Sequence, residues 1–223
     1  LAKRDMYLDA DGKAQPQQAL EGAKAAAIPG LPAGMVWLAE RYGKLKLRDS
    51  LEPAVRLAQK GFEVDERYAA MAKMKVALLR KTPEAETLFL DEAQAPQASF
   101  RLLQSELAQT LITLGEEGHK GFYGGHVARR LVNAVLEGGG IWQLEDLEQY
   151  HVAERAPMRF TFDGLRITTA SLPSSGGATL AQSFNILSLL PWREADAAQR
   201  AHLVVEAMRR AYHDRARYLG DSD

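Results

Sequence analysis

Pro173-Ser174-Ser175-Gly176-Gly177 sets two hydroxyls beside two glycines, between a segment of alternating apolar residues and a helical one. Such a turn feeds a helix N-terminus, where the first amide N–H groups lack partners inside the helix and carry partial positive charge. An anion or a developing oxyanion can be held there. Ser174, Ser175, Gly176 and Gly177 are therefore the candidates for lining a substrate. A competing structural account makes one serine the helix N-cap and gives the glycines a role in close packing against the preceding strand. Direct nucleophilic chemistry is disfavoured, because a nucleophile elbow needs glycine two places before its serine and those places hold Leu172 and Pro173. No residue of the chain is assigned a catalytic role.

Other chemistries find less support. No Gly-x-x-x-x-Gly-Lys-Ser/Thr or Gly-x-Gly-x-x-Gly pattern follows a strand, so nucleotide binding has no motif behind it. There are no cysteines, which removes disulfides, thiolate metal sites and cysteine nucleophiles. The histidines at 119, 126, 151, 202 and 213 lack the spacing that puts two ligands on one helical face, so no metal site is expected. Glu145, Asp146 and Glu148 cluster where a helix would begin, and the helix dipole accounts for acids there. Arg209, Arg210, Arg215 and Arg217 with Tyr212 and His213 could suggest a nucleic-acid face, but Glu206 and Asp214 lie among them at salt-bridging helical spacing. The formal net charge of -1 likewise gives no footprint for nucleic acid. No run approaches the length of a membrane-spanning helix.

The elements that must position the serine-glycine turn follow from periodicity. Residues 1–33 are rich in Ala, Gln, Gly and Pro and are expected to be an irregular lead-in. A helical region covers 34–150. Its first helix carries Met35, Leu38, Ala39 and Tyr42 on one face and ends at a left-handed Gly43. The second is expected to start at an N-cap Ser50, with Pro53 in its first turn, and to stop at Gly61. Asp65 caps a third, with a stripe of Tyr68, Met71, Ala72, Val76 and Leu79, ended by Thr82-Pro83. Helices over 103–114 and 124–137 follow, with Leu103, Leu107, Leu111 and Leu114 stacked in one, Val127, Leu131 and Val135 in the other, and glycines in the turn between. A short helix fits within 142–150.

From 151 to 223 the period changes. Met158, Phe160 and Phe162 alternate with Arg159 and Thr161, Asp163-Gly164 is a type I′ turn signal, and Leu165, Ile167 and Thr169 continue the pattern, predicting a β-hairpin near 157–170. A helix from the serine-glycine turn to about Leu190 and a last one from about Asp196 to Leu219 complete an α+β, mainly helical chain. Leu1-Ala2-Lys3-Arg4-Asp5 has neither an initiator Met nor a signal-peptide pattern, and the chain stops just after a helical pattern, so both ends look cut.

Three segments, taken in order, resemble the γ-glutamyltransferase family. The first is Leu51-Glu52-Pro53-Ala54-Val55-Arg56-Leu57-Ala58-Gln59-Lys60-Gly61-Phe62. The second is Gly121-Phe122-Tyr123-Gly124-Gly125, with Gly138-Gly139-Gly140-Ile141 and Leu144-Glu145-Asp146-Leu147-Glu148-Gln149-Tyr150 after it. The third is Pro173 to Gly177 with Asp214-Arg215-Ala216-Arg217-Tyr218-Leu219-Gly220-Asp221. The likeness runs from about Met6 to Asp221 and departs at Leu172, where the family often has a second proline.

The resemblance implies that residues 1–223 are a single fragment from the middle and late part of the large subunit of an N-terminal nucleophile hydrolase with an αββα fold. The precursor cuts itself, and the threonine exposed at the start of a small subunit, downstream of this chain, attacks a γ-glutamyl amide with its own amine as base. The acyl group passes to water or to an amino acid or peptide. The resemblance implies no metal or organic cofactor, a small-molecule γ-glutamyl substrate, the small subunit as partner, and a periplasmic or secreted location. The family's carboxylate-gripping arginine belongs to a segment upstream, and Arg4 does not match its context. Two other readings stand beside this one: a non-catalytic helical interaction module, and an amidase-type serine hydrolase using Ser174 or Ser175, against which Leu172-Pro173 argues.

Overall fold

The computed structural model describes residues 2–3 and 5–220; Arg4 and the closing Asp221 of the third segment lie outside them. The chain divides into two compact units, Leu1–Val152 and Ala153–Asp223.

In the first unit the lead-in is more ordered than expected. Two 3-10 turns, Pro16–Ala19 and Ala23–Ala25, precede helix α1, which spans Leu31–Tyr42 and so begins inside the expected irregular stretch. Pro32 sits in its first turn, where a missing N–H costs nothing. Gly43 ends α1 in an extended conformation (φ -70°, ψ 139°), not the expected left-handed one. Glycine is needed there for space, since a Cβ would stand 2.4 Å from the Ala39 carbonyl oxygen.

Helix α2 spans Leu47–Lys60, so Ser50 is not its cap and Pro53 lies in its interior. An interior proline costs about 3 kcal/mol. Burial of Leu51 and Ala58 and close packing on helix α5 (Ser105–Glu117) offset that cost. The two axes approach closely because Gly115 faces the Arg48 backbone, where a Cβ would come within 2.9 Å. Gly61, at φ +72°, ends α2, and strand β1 (Phe62–Glu63) then pairs antiparallel with β2 (Arg101–Leu102). Two residues a side are too few for alternation to reveal, and this pairing was not expected.

Helix α3 (Glu66–Leu79) has the expected cap, the Asp65 carboxylate accepting from the Tyr68 amide at 2.8 Å. Its stripe is only partly inward: Ala72 is buried while Met71 is 50% exposed. Pro83, expected only to end a helix, also opens α4 (Pro83–Phe89). The glycine-rich turn holds a short helix, α6 (His119–Tyr123), ahead of α7 (Gly125–Glu137) and α8 (Leu144–Glu148). Leu114 is buried as expected, but Leu103 and Leu107 remain 48% and 42% exposed. The core gathers Val36, Leu51, Leu114, Tyr123, Val127 and Leu147. Tyr123, 1% exposed, is stacked between His119 and Tyr150, with ring centroids 4.4 and 5.3 Å away. Its hydroxyl donates to the Pro29 carbonyl and accepts from the Ala33 amide at 3.1 Å, and Trp142 Nε1 donates to Ala26 at 3.0 Å. These bonds tie the lead-in to the core.

In the second unit strands β3 (Met158–Phe162) and β4 (Leu165–Thr169) form the expected hairpin, with Phe162 opposite Leu165. Asp163 and Gly164 both have positive φ, 52° and 76°, as a two-residue type I′ turn requires. Helix α9 (Ser175–Ser188) follows, and then α10 (Ala197–Tyr218). The Asp196 and Gln199 side chains close a capping box at the start of α10.

Candidate functional site

The turn that delivers the chain from β4 into α9 has a bond from the Ser174 amide to the Ser171 carbonyl at 3.2 Å and a cis Leu172-Pro173 peptide. Ser174 occupies the N-cap position with extended backbone, yet its side chain makes no capping bond. Ser175 does not cap either: its hydroxyl accepts from Arg215 Nε at 2.8 Å. The capping account of the serines is thereby corrected. A guanidinium donor forms a stronger bond than a neutral amide, and α10 brings it to the second hydroxyl. Arginine has no lone pair to offer as a base, so the contact supplies Ser175 with no means of activation, which argues against the amidase-type reading.

The glycines divide. A Cβ on Gly177 would lie 2.1 Å from the Ala170 carbonyl oxygen and 2.8 Å from Thr169 Cγ2, so this glycine lets the helix start press on the end of β4, as the packing account expected. A Cβ on Gly176 would meet only Ser174 Oγ, at 3.8 Å. Gly176 and Ser175 instead face a groove of about 500 Å³ between α9 and α10, whose walls include Leu180, Phe184, Met208 and Arg215. Ser174 borders a different hollow, about 520 Å³, with Arg155, Pro157 and Thr168. Of the four sequence neighbours, three therefore address two cavities, and Gly177 packs against the end of β4.

Around them the basic residues of α10 are largely internal partners. Glu206 accepts from Arg209 at 2.8 Å and from Arg210 at 2.7 Å, and the Arg210 hydrogen bond above all holds its carboxyl below the usual range. The Gln182 amide donates to the Asp214 carboxylate, and Arg217 lies over Tyr218 at 5.5 Å. This is the salt-bridged helix that the spacing of Glu206 anticipated. In the first unit the Glu145-Asp146-Glu148 cluster opens α8, where Asp146 closes a capping box by accepting from the Gln143 amide at 2.8 Å. His119 contacts the Tyr150 carbonyl at 2.8 Å. The contribution of Arg215 to the turn was not read from sequence. It is separated from Ser175 by 40 residues, and its only signal was membership of the Asp214–Asp221 segment.

The mainly helical chain is similar in structure to solved γ-glutamyltranspeptidases, and this likeness places it among N-terminal nucleophile hydrolases. The solved γ-glutamyltranspeptidase of Helicobacter pylori matches 100% of the chain with a TM-score of 0.93 and 34% identity, and 64% of that solved chain is covered. A family model described as gamma-glutamyltranspeptidase matches residues 1–223. The glutathione hydrolase proenzyme of Pseudomonas sp. (strain A14) is 37% identical over 225 residues, and that of Pseudomonas aeruginosa is 38% identical over 229; each alignment covers 100% of the chain. The chain belongs to the γ-glutamyltranspeptidase family. It spans 39% and 40% of the lengths of those two proenzymes.

Proposed function

We propose that this chain is large-subunit scaffold of an enzyme that transfers a γ-glutamyl group from glutathione-like amides to water, amino acids or peptides. The nucleophile is an N-terminal threonine on a small subunit outside these residues. The observation that carries the reading is the family match along all 223 residues, at about two fifths of the length of relatives named as proenzymes. The site geometry agrees with it. Among the described residues neither serine at the turn has a base, and the uncapped start of α9 leaves outward-facing amides near a groove, suited to lining a site completed by other parts of the polypeptide. In this scheme Ser174, Ser175, Gly176 and Gly177 form a site wall, and the acyl-enzyme, its oxyanion and the amine base belong to the small subunit. The enzyme works in the periplasm or outside the cell, a location taken from family habit. Among the described residues no helix is long and apolar enough to cross a membrane.

Hydrolysis of a γ-glutamyl anilide by the full-length gene product and by the isolated 223 residues tests this. Only the full-length protein should turn over. Within it Ser174→Ala and Ser175→Ala should each change the rate by less than about tenfold, roughly 1.4 kcal/mol of barrier. Turnover by the isolated chain that either serine substitution abolishes would overturn the proposal.

A further inference from the structure

Helix α9 carries no charged side chain from Ser175 to Ser188. Leu180, Phe184 and Leu187, at i, i+4 and i+7 spacing, give it an apolar stripe of the kind that packs against a neighbour. Within its unit, α9 is covered on one side by β3, where Phe184 stacks on Phe162 at 4.3 Å, and on another by α10, whose Ala207 and Ala211 are buried. The remaining side borders the 500 Å³ groove, along which Leu180, Met208 and Tyr212 are 41%, 44% and 52% exposed. Among the described residues Arg215 is the one charged side chain lining it.

Two observations select what covers this face. A single cation is too little for an anionic membrane or a nucleic-acid backbone, whose binding scales with the number of basic contacts, so the occupant is largely uncharged. The stretch matched by this chain also makes up 64% of the solved Helicobacter pylori chain but only 39% of the Pseudomonas sp. (strain A14) proenzyme. The solved chain is thus shorter than a proenzyme of this family, and a further polypeptide remains to be packed. We propose that the groove between α9 and α10 is the docking surface for the smaller polypeptide of the mature enzyme. That polypeptide sets apolar side chains over Leu180 and Met208 and a hydrogen-bond acceptor opposite Arg215. The proposal rests on the functional reading above.

The test uses the full-length, self-processed enzyme with Leu180→p-benzoylphenylalanine for photo-cross-linking, and Lys73→p-benzoylphenylalanine, exposed on α3, as control. Irradiation at position 180 should join the two polypeptides, with an adduct at least about tenfold stronger than at position 73. Because residues 1–223 contain no cysteine, Leu180→Cys supplies a smaller variant. Its maleimide labelling in the native enzyme should be about tenfold slower than that of Lys73→Cys, and the two should match after denaturation. In an enzyme that is processed and active on γ-glutamyl anilide, equal labelling, or a cross-link joining two copies of the larger chain, overturns the docking proposal alone. An unprocessed, inactive full-length protein overturns the functional reading and the docking proposal with it.

Discussion

The phenol of Tyr123 serves α1 as a distant cap. Gly30 holds the N-cap position without a side chain, and the Ala33 amide finds its acceptor 90 residues away in sequence. Removing the hydroxyl by Tyr123→Phe leaves a buried donor without a partner and should cost about 1–3 kcal/mol, read as a lower urea midpoint of the full-length protein. Burial raises the Tyr123 phenol above its ordinary pKa, so the folded state favours the protonated form. The stability this contributes is present below about pH 10 and is lost as pH rises through the folded-state value. Tyr123→Phe should therefore flatten the alkaline decline in melting temperature, and an unchanged slope would remove Tyr123 as its cause. The sequence put Tyr123 in a notable Gly-Phe-Tyr-Gly-Gly string but did not reveal its partners, because Pro29 and Ala33 are far along the chain.

Among the elements, the start of α9 offers a paired comparison. Gly177→Ala drives a methyl into the Ala170 carbonyl and should destabilise the second unit by about 1–3 kcal/mol. Gly176→Ala meets only Ser174 Oγ at 3.8 Å, an ordinary contact, and should be neutral, or stabilising by up to about 1 kcal/mol through helix propensity. Urea unfolding of the two variants side by side checks this, and equal costs would sink the division of roles between the two glycines. The hairpin, the Asp65 cap and the start of α10 near Asp196 were legible beforehand because their determinants are local: alternation, a turn that needs two positive φ angles, and a carboxylate three residues before the amide it accepts from. The early start of α2 and its internal Pro53 were not legible, because packing on α5 decides them. The β1–β2 pair was hidden for the same reason, Phe62 pairing with Leu102 and Glu63 with Arg101 far along the chain.

At the scale of the whole molecule, activity should require polypeptide beyond these residues, and the anilide assay and the cross-link at position 180 test that from two directions. The sequence by itself determined a helix-dominated chain with one hairpin, and, through the order of its three segments, the family to which it belongs. It also disfavoured a local nucleophile, since elbow and cysteine chemistry are matters of composition and short spacing. Tertiary structure alone decided that Arg215 engages Ser175, that Ser174 and Ser175 border different cavities, and that an uncharged helix keeps an open apolar side. Local propensity fixes where a turn and a helix begin. Which distant side chain reaches the turn, and which face stays uncovered, depends on packing between residues that the chain order holds far apart.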